Sequence, residues 1–252
     1  MKSKAVMTLD RVLSRFGLAS RTDSREAILG GRLKVNGKVV RNPELWVRPE
    51  KDVIHLDGNR LRPARKVYLL FYKPKGVITS HGDPGDRKTV YDYIQEKNAW
   101  VVPVGRLDRD TSGLLLLTND TDFAEFVTAP ESRVPKTYLV KVSGLVSEGT
   151  LASLRSGVRL KRGDWAKPER ITRLKDRGKY TWLEIVLTEG KNREVRRMIE
   201  TVGFKALKLV RTRIGALTLE NLEVGKYRRV TASEVAALKK YRPSDLRFTI
   251  DD

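Results

Sequence analysis

The amino-acid sequence predicts an α+β protein in which a small N-terminal module precedes a larger, mixed and largely antiparallel domain. Three observations predict this architecture. A helix–helix–hairpin pattern occupies the first part of the chain. Beyond it, strand-like segments outnumber helical ones and alternate with them without regular βαβ repetition. The apolar run Leu114–Leu117, bounded by polar turn residues, is the clearest buried strand.

The composition narrows the class of protein. The chain has 252 residues, of which 40% are hydrophobic, enough for one large domain or two smaller ones. No cysteine and only two histidines are present, which excludes disulfide frameworks and leaves little material for a metal site. The N-terminal stretch lacks the apolar core of a signal peptide, and no stretch is long and apolar enough to span a membrane. We therefore expect a cytoplasmic protein without a membrane partner.

The charge indicates a nucleic acid partner. The net charge is +20, and residues 1–65 alone carry fifteen Lys and Arg against seven Asp and Glu. Such an excess releases counterions from a phosphate backbone on binding. The alternatives are a basic surface that is merely solvated, or attraction to a membrane surface. The absence of a basic amphipathic anchor helix from the sequence favours nucleic acid.

Two helices and a hairpin make up the predicted N-terminal module. Thr8 is the candidate N-cap of the first helix, whose apolar residues share one face: Leu9, Val12, Leu13 and Phe16. Ser20 or Thr22 caps the second helix. Asn36-Gly37 then marks a tight turn between two short strands.

Basic side chains are concentrated on this helix pair and hairpin. The segment DRVLSRFGLASRTDSREAILGGRLKVNGKVV resembles the alpha-L RNA-binding domain that is named after a ribosomal protein of the small subunit. The resemblance covers about residues 7–58 and implies that the basic residues of the module bind RNA. Those residues are Arg11, Arg15, Arg21, Arg25, Lys34 and Lys38. The alternative is that they are only solvated faces of the module.

The patterns divide the chain into an RNA-binding domain at 1–58, a linker at 59–66, a larger domain at 67–241 and a C-terminal tail at 242–252. The linker, NRLRPARK, lacks periodicity and contains a proline. The larger domain has five predicted strands: Val67–Tyr72, Leu114–Thr118, Thr137–Val142, Thr181–Leu187 and Ala206–Arg211. It also has five predicted helices: Val90–Gln95, Phe123–Val127, Thr150–Ser156, Arg193–Val202 and Ser233–Lys239.

Asp108 is the main candidate for chemistry in the larger domain. It lies in the polar loop GRLDRDTSG, directly before the buried leucine strand, and such a loop can hold one carboxylate in a fixed place. The alternative is that Asp108 only caps the turn, and Asp110 is equally typical of a turn. The sequence contains no GxxxxGK[ST], HExxH or CxxC motif, so no metal or nucleotide cofactor is indicated.

The segment VPVGRLDRDTSGLLLLTND resembles the signature motif of RNA pseudouridine synthases, specifically of the RsuA/RluB type that modifies ribosomal RNA. Further segments resemble the same family: YLLFYKPKGVITS (68–80), KTYLVKVSG (136–144), LTEGKNREVRRMIETVGF (187–204) and LVRTRIGALTL (209–219). The resemblance spans residues 66–240, and this branch usually carries an alpha-L domain in front.

The resemblance implies three catalytic residues. Asp108 matches the family's essential aspartate, the nucleophile that helps to detach uracil from its ribose and to reattach it through C5. Tyr138 matches the tyrosine that stacks on the uracil and is thought to take the C5 proton, although a tyrosine on a strand is often a core residue. Arg196 matches the arginine that pairs with the aspartate and keeps it ionised. The reaction is an isomerisation, so no cofactor is implied.

Further residues are expected to bind the substrate or the RNA. Arg106 matches the arginine that fills the stack vacated by the extruded base, and a phosphate contact is the alternative. Leu209 could contact the uracil from behind or be an ordinary core leucine. Arg193 and Arg197 share one face with Arg196 on an ideal helix and are assigned to RNA phosphate, although they could equally be solvated.

The sequence therefore predicts a synthase that acts on ribosomal RNA, most simply 23S RNA of the large subunit, with the RNA or a subunit precursor as partner. The alternatives are a synthase acting on 16S or transfer RNA, and a non-catalytic ribosome-assembly factor, which would leave GRLDRDTSG unexplained. A monomer is the default expectation. Lys73 and Lys75 could support the loop of Asp108 or touch RNA, and they are not assigned to catalysis.

Overall fold

The computed structural model describes residues 6–81, 85–96, 99–161 and 163–240. The chain forms two structural units. The first contains the chain up to Tyr68 together with segments Glu96–Val102 and Thr118–Thr121, and the second contains the rest. The predicted tail at 242–252 and Tyr241 lie outside the described residues. No helix in the described part of the chain is long and apolar enough to cross a membrane.

The first unit has the predicted helix–helix–hairpin order. Its elements are β1 (Met7–Thr8), α1 (Leu9–Arg15), α2 (Arg21–Leu29), β2 (Leu33–Val35), β3 (Lys38–Val40), β4 (Trp46–Val47), β5 (Ile54–Leu56) and β6 (Asn59–Arg60). The predicted apolar face of α1 is in the core, since Leu9, Val12 and Leu13 are at most 1% exposed and Phe16 is partly buried. The Ser20 hydroxyl accepts a hydrogen bond from the main-chain N–H of Asp23 and caps α2.

Asp10 connects the two helices. Its carboxylate is 1% exposed and accepts hydrogen bonds from the Thr8 hydroxyl at 2.6 Å, Arg21 at 3.2 Å and Arg25 at 3.1 Å. Thr8 is therefore at the N-cap position of α1 but its side chain does not cap the helix. Burial by itself raises the pKa of Asp10, and the hydrogen bonds from Thr8, Arg21 and Arg25 outweigh it and leave the pKa below its ordinary value.

The predicted hairpin is extended by β5 and β6, of which β6 lies where no strand was predicted. The four-stranded sheet has the order β3-β2-β5-β6, and Asn36 has a positive φ of 50° at the first turn. The segment interpreted as a linker begins with β6, so the linker prediction is wrong for Asn59 and Arg60. Asp57, with a φ of 50°, turns the chain back sharply at Asp57-Gly58, so that β6 pairs with β5.

The second unit is built on a nine-stranded sheet. The strands from here on are β7 (Tyr68–Lys73), β8 (Val102–Pro103), β9 (Ser112–Thr118), β10 (Lys136–Val142), β11 (Val158–Arg159), β12 (Trp165–Ala166), β13 (Arg170–Arg177), β14 (Tyr180–Leu187), β15 (Ala206–Ile214), β16 (Leu217–Thr218) and β17 (Tyr227–Arg229). All of them except β11 and β12 belong to this sheet. The helices are α3 (Thr121–Thr128), α4 (Glu148–Ser156), α5 (Glu194–Thr201) and α6 (Ala232–Lys239). All five predicted strands are present, and the α+β, largely antiparallel prediction is confirmed.

The order of strands brings distant parts of the chain together. The main sheet runs β13-β14-β10-β15-β9-β7-β17, with β8 beside β9 and β16 beside β15, while β11 and β12 form a separate pair. β10 pairs with β14 and β15 in antiparallel fashion, whereas β15 pairs with β9 in parallel, Arg211 opposite Gly113. A Cβ atom on Gly113 would collide with the main chain of Arg211, so only glycine permits this approach. The loop before β9 is thereby held beside β15.

Two of the predicted helices differ from the structure. The predicted helix Val90–Gln95 is a single 3₁₀ turn, Val90–Asp92. Thr89 accepts a hydrogen bond from Tyr91 N–H, and the Asp92 carboxylate accepts one from Thr89 N–H, which closes one turn only. The helix predicted to start at Arg193 starts at Glu194 instead, because Arg193 adopts the left-handed conformation with φ 50° and ψ 32°.

Asp10→Asn is expected to destabilise the first unit by about 1–3 kcal/mol at pH 7, because the carboxylate accepts charge-assisted hydrogen bonds from two arginines. The pKa of Asp10 lies below its ordinary value of 3.8, so this stabilisation is fully present above pH 3.8 and is lost as the pH falls through the lower, folded-state value. Thermal unfolding midpoints of the two proteins, measured from pH 7 to about pH 2, should converge at the acid end. The exposed Glu26→Gln is the control, with a change within about 0.5 kcal/mol. A gap between Asp10→Asn and wild type that persists in acid would contradict this role.

Candidate active site

A cavity of about 380 Å³ lies in the second unit. It is lined by parts of the loop at 104–111, by strands β10 and β15, and by residues 187–195. Its volume falls within the range of small-molecule sites, about 300–1,000 Å³. Four of the five residues that were predicted to act on the substrate line it, namely Arg106, Asp108, Tyr138 and Leu209. The fifth, Arg196, does not.

Hydrogen bonds to the main chain fix the loop that carries Asp108. The five consecutive carbonyls of residues 107–111 each accept at least one. Three of the donors are Thr79 Oγ1 to Leu107 O at 2.9 Å, Gly76 N to Arg109 O at 2.7 Å and Arg196 Nη2 to Asp110 O at 2.8 Å. A loop held at every carbonyl keeps its side-chain carboxylate in one place.

Lys73 holds the two ends of the turn. Its fully buried ammonium donates to the carbonyls of Asp108 at 3.1 Å, Thr111 at 2.8 Å and Pro74 at 3.1 Å. Burial lowers the pKa of Lys73 to about 8, and the negative charges of Asp108 and Asp110 act against this shift. Three carbonyl acceptors match the three donors of an ammonium, which makes the burial of this charge tolerable.

Asp108 has an arginine partner, and it is Arg193. The Asp108 side chain is 30% exposed, and its Oδ2 lies 3.7 Å from Nη1 of Arg193. Because Arg193 is the N-cap of α5 in a left-handed conformation, it does not share a helical face with Arg196. Arg193, which was assigned to RNA phosphate, lines the same cavity as Asp108.

The direct pairing predicted between Arg196 and Asp108 is wrong in this structure. Arg196 is 9% exposed, and its guanidinium donates to two main-chain carbonyls: Nη2 to that of Asp110 and Nη1 to that of Ala206 at 2.9 Å. Burial, followed by the nearby positive charge of Arg193, lowers its pKa. Arg196 therefore acts on the loop of Asp108 through the main chain, joining it to β15.

Two neighbouring strands form one wall of the cavity. On β10, Lys136 and Tyr138 are two residues apart and both line the cavity. On β15, Leu209 and Arg211 do the same, and Arg211 is directly opposite Tyr138. Leu209 is 5% exposed and also belongs to the hydrophobic core, so both interpretations of this residue hold together. Tyr138 is partly buried and packs against the same core.

The remaining candidates for RNA contact differ in how they are held. Arg106 lines the cavity, is exposed, and has no hydrogen-bond or ion-pair partner among the described residues. Arg197 pairs with Asp164 at 3.2 Å and its side chain is only 16% exposed, so the prediction that it contacts RNA phosphate is not supported by its position. In the first unit, the predicted RNA-binding residues on the outer surface are exposed: Arg11, Arg15, Arg21, Lys34 and Lys38. Arg25 is only partly exposed.

Glu194 adds a buried carboxyl group to the cavity. It is 3% exposed, its Oε2 accepts a hydrogen bond from Lys191 N–H at 3.0 Å, and its buried Oε1 has no hydrogen-bond partner among the described residues. Burial and the neighbouring carboxyl group of Glu189 raise the pKa of Glu194 to about 8. Glu194 is therefore mostly neutral at pH 7.

Comparison with known proteins decides the family. The sequence profile described as RNA pseudouridylate synthase matches residues 67–201, and that of the S4 domain matches residues 7–54. The chain belongs to the RNA pseudouridylate synthase family. This confirms the resemblance found in the sequence motifs, and it makes the protein an RNA pseudouridine synthase with an N-terminal RNA-binding S4 domain.

The similarity extends over nearly the whole chain. An uncharacterized RNA pseudouridine synthase of Aquifex aeolicus is 40% identical over 92% of this chain and 93% of its own length. The ribosomal large subunit pseudouridine synthase B of Bacillus subtilis is 40% identical over 92% of this chain and 95% of its own. A solved structure described as a pseudouridylate synthase is 30% identical, with a TM-score of 0.67, covering 92% of this chain and 99% of that one.

Sequence reasoning about the synthase missed several of its buried polar residues. Lys73 was noted only as possible support for the loop, and neither Lys136, Arg211 nor Glu194 was assigned a role. Lys136 could have been found, because it precedes Tyr138 by two residues and must face the same side of a strand. Arg211 could not, because only the strand register places it opposite Tyr138.

Lys73→Met is expected to lower stability by about 1–3 kcal/mol, because it removes the ammonium donor from the carbonyls of Asp108 and Thr111 and leaves the Asp108 carbonyl only the N–H of Thr111. Pseudouridine formation should fall further than stability alone explains, since the carboxylate of Asp108 is no longer held in place. Chemical denaturation and single-turnover rates at a temperature where both proteins are folded measure the two effects. The control is Lys75→Met, two residues away and exposed, which should change stability by less than about 0.5 kcal/mol. Equal activity of Lys73→Met and Lys75→Met would show that the clamp is not needed.

Glu194→Gln is expected to change how stability depends on pH. The folded-state pKa of Glu194 is raised to about 8 from an ordinary 4.5, so the folded protein keeps a proton that the unfolded chain has lost. The stability this group provides is present below pH 4.5 and is lost as the pH rises towards 8.

Gln does not titrate, so the stability of Glu194→Gln relative to wild type should increase between pH 5 and pH 8, on the order of a few kcal/mol. Unfolding by denaturant across this range measures it. Glu200→Gln, at an exposed site on the same helix, should show no such trend. A constant difference between Glu194→Gln and wild type across the range would mean that Glu194 is ionised in the folded protein.

Proposed function

We propose that this synthase converts a uridine of ribosomal RNA, most simply in the 23S RNA of the large subunit, to pseudouridine with Asp108 as the nucleophile. The observation that carries the proposal is the position of Asp108, partly exposed in a cavity whose other walls hold Tyr138, Leu209 and Arg193. The sequence motif around Asp108 matches that of the family's essential aspartate.

The reaction requires the Asp108 carboxylate to attack the sugar carbon and later to act as the leaving group. Asp108 bonds to the sugar carbon of the target nucleotide as the uracil departs, and it is released when the uracil returns through C5. A fixed main chain supports this role, because a carboxylate that moves would have to be reoriented at each step. Arg193 places a positive charge 3.7 Å from the carboxylate, and Arg196 positions the loop through the carbonyl of Asp110.

The target uridine enters the cavity after it is rotated out of its stack. A base within an RNA helix is shielded from the carboxylate, so extrusion must come first. The ring of Tyr138 and the side chain of Leu209 supply an apolar surface for the uracil. Arg106 is exposed and unpaired among the described residues, so its planar guanidinium is available to fill the gap left in the RNA.

The N-terminal RNA-binding domain adds affinity through charge. Its proposed contacts with RNA are the exposed basic residues of the helix pair and hairpin, of which Arg21 is also held by the buried Asp10. Such a pairing leaves guanidinium nitrogens for phosphate and limits the mobility of the side chain. We propose 1–58 as this domain and 67–241 as the catalytic domain. The chain would act as a cytoplasmic monomer on the RNA or on a ribosomal subunit precursor.

The choice of the large subunit rests on the relatives. The Bacillus subtilis protein is named a ribosomal large subunit pseudouridine synthase, and its similarity covers both the N-terminal and the catalytic domain of this chain. A shared RNA-binding domain and a shared cavity are both needed to recognise one uridine in its local RNA fold. This similarity favours the large subunit over 16S or transfer RNA.

Asp108→Asn is expected to abolish pseudouridine formation, by at least about 10³-fold, while RNA affinity stays within about threefold of wild type. Pseudouridines are mapped in the ribosomal RNA of cells that lack the protein and of cells that carry wild type or variant. One position in 23S RNA should be modified by the wild type and not by Asp108→Asn. The control is Asp110→Asn, which changes the neighbouring exposed carboxylate and should keep activity. Modification by Asp108→Asn would overturn the nucleophile, and a site in another RNA would overturn the target.

A further inference from the structure

We propose that Lys136 and Arg211 form a cationic subsite that stabilises the detached uracil as an anion. The two side chains lie on neighbouring strands, β10 and β15, and both line the cavity that contains Asp108. The inference rests on the proposed attack by Asp108, because it concerns the charge that this attack leaves on the base.

Both cations are buried without a carboxylate to neutralise them. Lys136 is 8% exposed and Arg211 is 5% exposed. Neither side chain forms an ion pair with a carboxylate of the described residues, and no described residue hydrogen-bonds the ammonium of Lys136. That ammonium keeps some solvent contact, whereas Nη2 of Arg211 is fully buried. Arg211 donates from Nε to the carbonyl of Leu114 at 2.8 Å, while its buried Nη2 has no hydrogen-bond partner among the described residues. A buried cation without a partner is costly to keep and therefore indicates an anionic ligand.

The surroundings of Lys136 in the cavity leave it mostly positively charged at pH 7. Burial, and then the charge of Arg211, lower the pKa of Lys136 to about 8. The Lys136 side chain is therefore mostly protonated at pH 7. Glu194 is the nearby carboxyl group that opposes this shift, and its own raised pKa leaves it mostly neutral at pH 7. Binding of an anion would restore the charge of Lys136 fully.

The strand geometry places the subsite where the base must be. Tyr138 lies two residues after Lys136 on β10 and directly opposite Arg211 on β15, so the three side chains share one face of the sheet. A uracil that stacks on the ring of Tyr138 therefore lies beside both cations. The fixed loop of Asp108 lines the same cavity and presents the carboxylate to the sugar.

The reaction produces an anion at that point. As an Asp108 oxygen bonds to C1′ of the ribose, the C1′–N1 bond breaks and its electron pair stays on the uracil. The negative charge is shared among N1, O2, C5 and O4, which is why C5 can attack C1′ and displace the carboxylate. C5 then loses its proton and N1 gains one, so the two nucleosides are isomers. Fixed positive charge near developing negative charge lowers the barrier to the first step.

The test compares two target bases whose anions differ in stability. A fluorine atom at C5 stabilises the uracil anion, so 5-fluorouridine depends less on the protein for this purpose. Lys136→Gln and Arg211→Gln should slow the loss of the N1–C1′ bond in a uridine substrate by about 10²–10³-fold, and in a 5-fluorouridine substrate by at least tenfold less. Single-turnover rates come from digesting the RNA to nucleosides and separating the unreacted nucleoside from its C-linked isomer by chromatography, with the full-length protein.

Three further variants separate the explanations. Arg211→Lys keeps the positive charge and should recover most of the rate of N1–C1′ bond loss. If Arg211→Gln fails to fold, the test of this position rests on Arg211→Lys. Lys208→Gln removes an exposed lysine of the same strand and should have no effect on either base. Asp108→Asn should be inactive on both bases; activity there would overturn the proposed nucleophile and not the subsite alone. Equal slowing of both bases by Lys136→Gln, or loss of RNA affinity in place of rate, would overturn the subsite while leaving the nucleophile intact.

Discussion

The ammonium of Lys73, buried among the carbonyls of the loop at 107–111, is the interaction on which the site depends. An Asp108 side chain on an exposed polar turn would sample many orientations, each costing conformational entropy to fix at the moment of reaction. Hydrogen bonds from Lys73, Thr79, Gly76 and Arg196 fix the main chain of this turn. The carboxylate itself is left partly exposed and available to a ligand.

The sheet supplies the opposite wall by bringing β9, β10 and β15 together. The parallel pairing of β15 with β9 requires a glycine at 113, and it sets Arg211 beside the end of the Asp108 loop. The antiparallel pairing of β15 with β10 sets the same arginine against Tyr138. Arg211 thus belongs to two strand pairs, and the cavity exists because both are formed.

Charge is distributed unevenly over the molecule. On the surface of the RNA-binding domain, basic groups are exposed and suited to phosphate, where salt screens them. Around the cavity and the Asp108 loop, Lys73, Lys136, Arg196 and Arg211 are buried, and the loss of hydration strengthens whatever interaction each one makes. Two of these four satisfy carbonyls that hold the Asp108 loop, whereas Lys136 and Arg211 are left with capacity to meet a substrate.

The sequence by itself determined the strands, most helices, the RNA-binding module and the position of Asp108, because periodicity, turn residues and local motifs are properties of neighbouring residues. It failed where conformation depended on one residue or on distant partners. Arg193 adopts a left-handed conformation, so α5 starts one residue later than predicted. The arginine beside Asp108 is Arg193 and not the expected Arg196. A single closed turn at Thr89–Asp92 stands where a helix was predicted. Only the tertiary structure decided that Lys73 clamps the loop, that Arg196 acts through main-chain carbonyls, and that Arg211 faces Tyr138. The hydrogen bonds of Lys73 and Arg196 to the Asp108 loop join residues from 35 to 86 positions apart. Strand register, which local sequence leaves open, sets Arg211 opposite Tyr138.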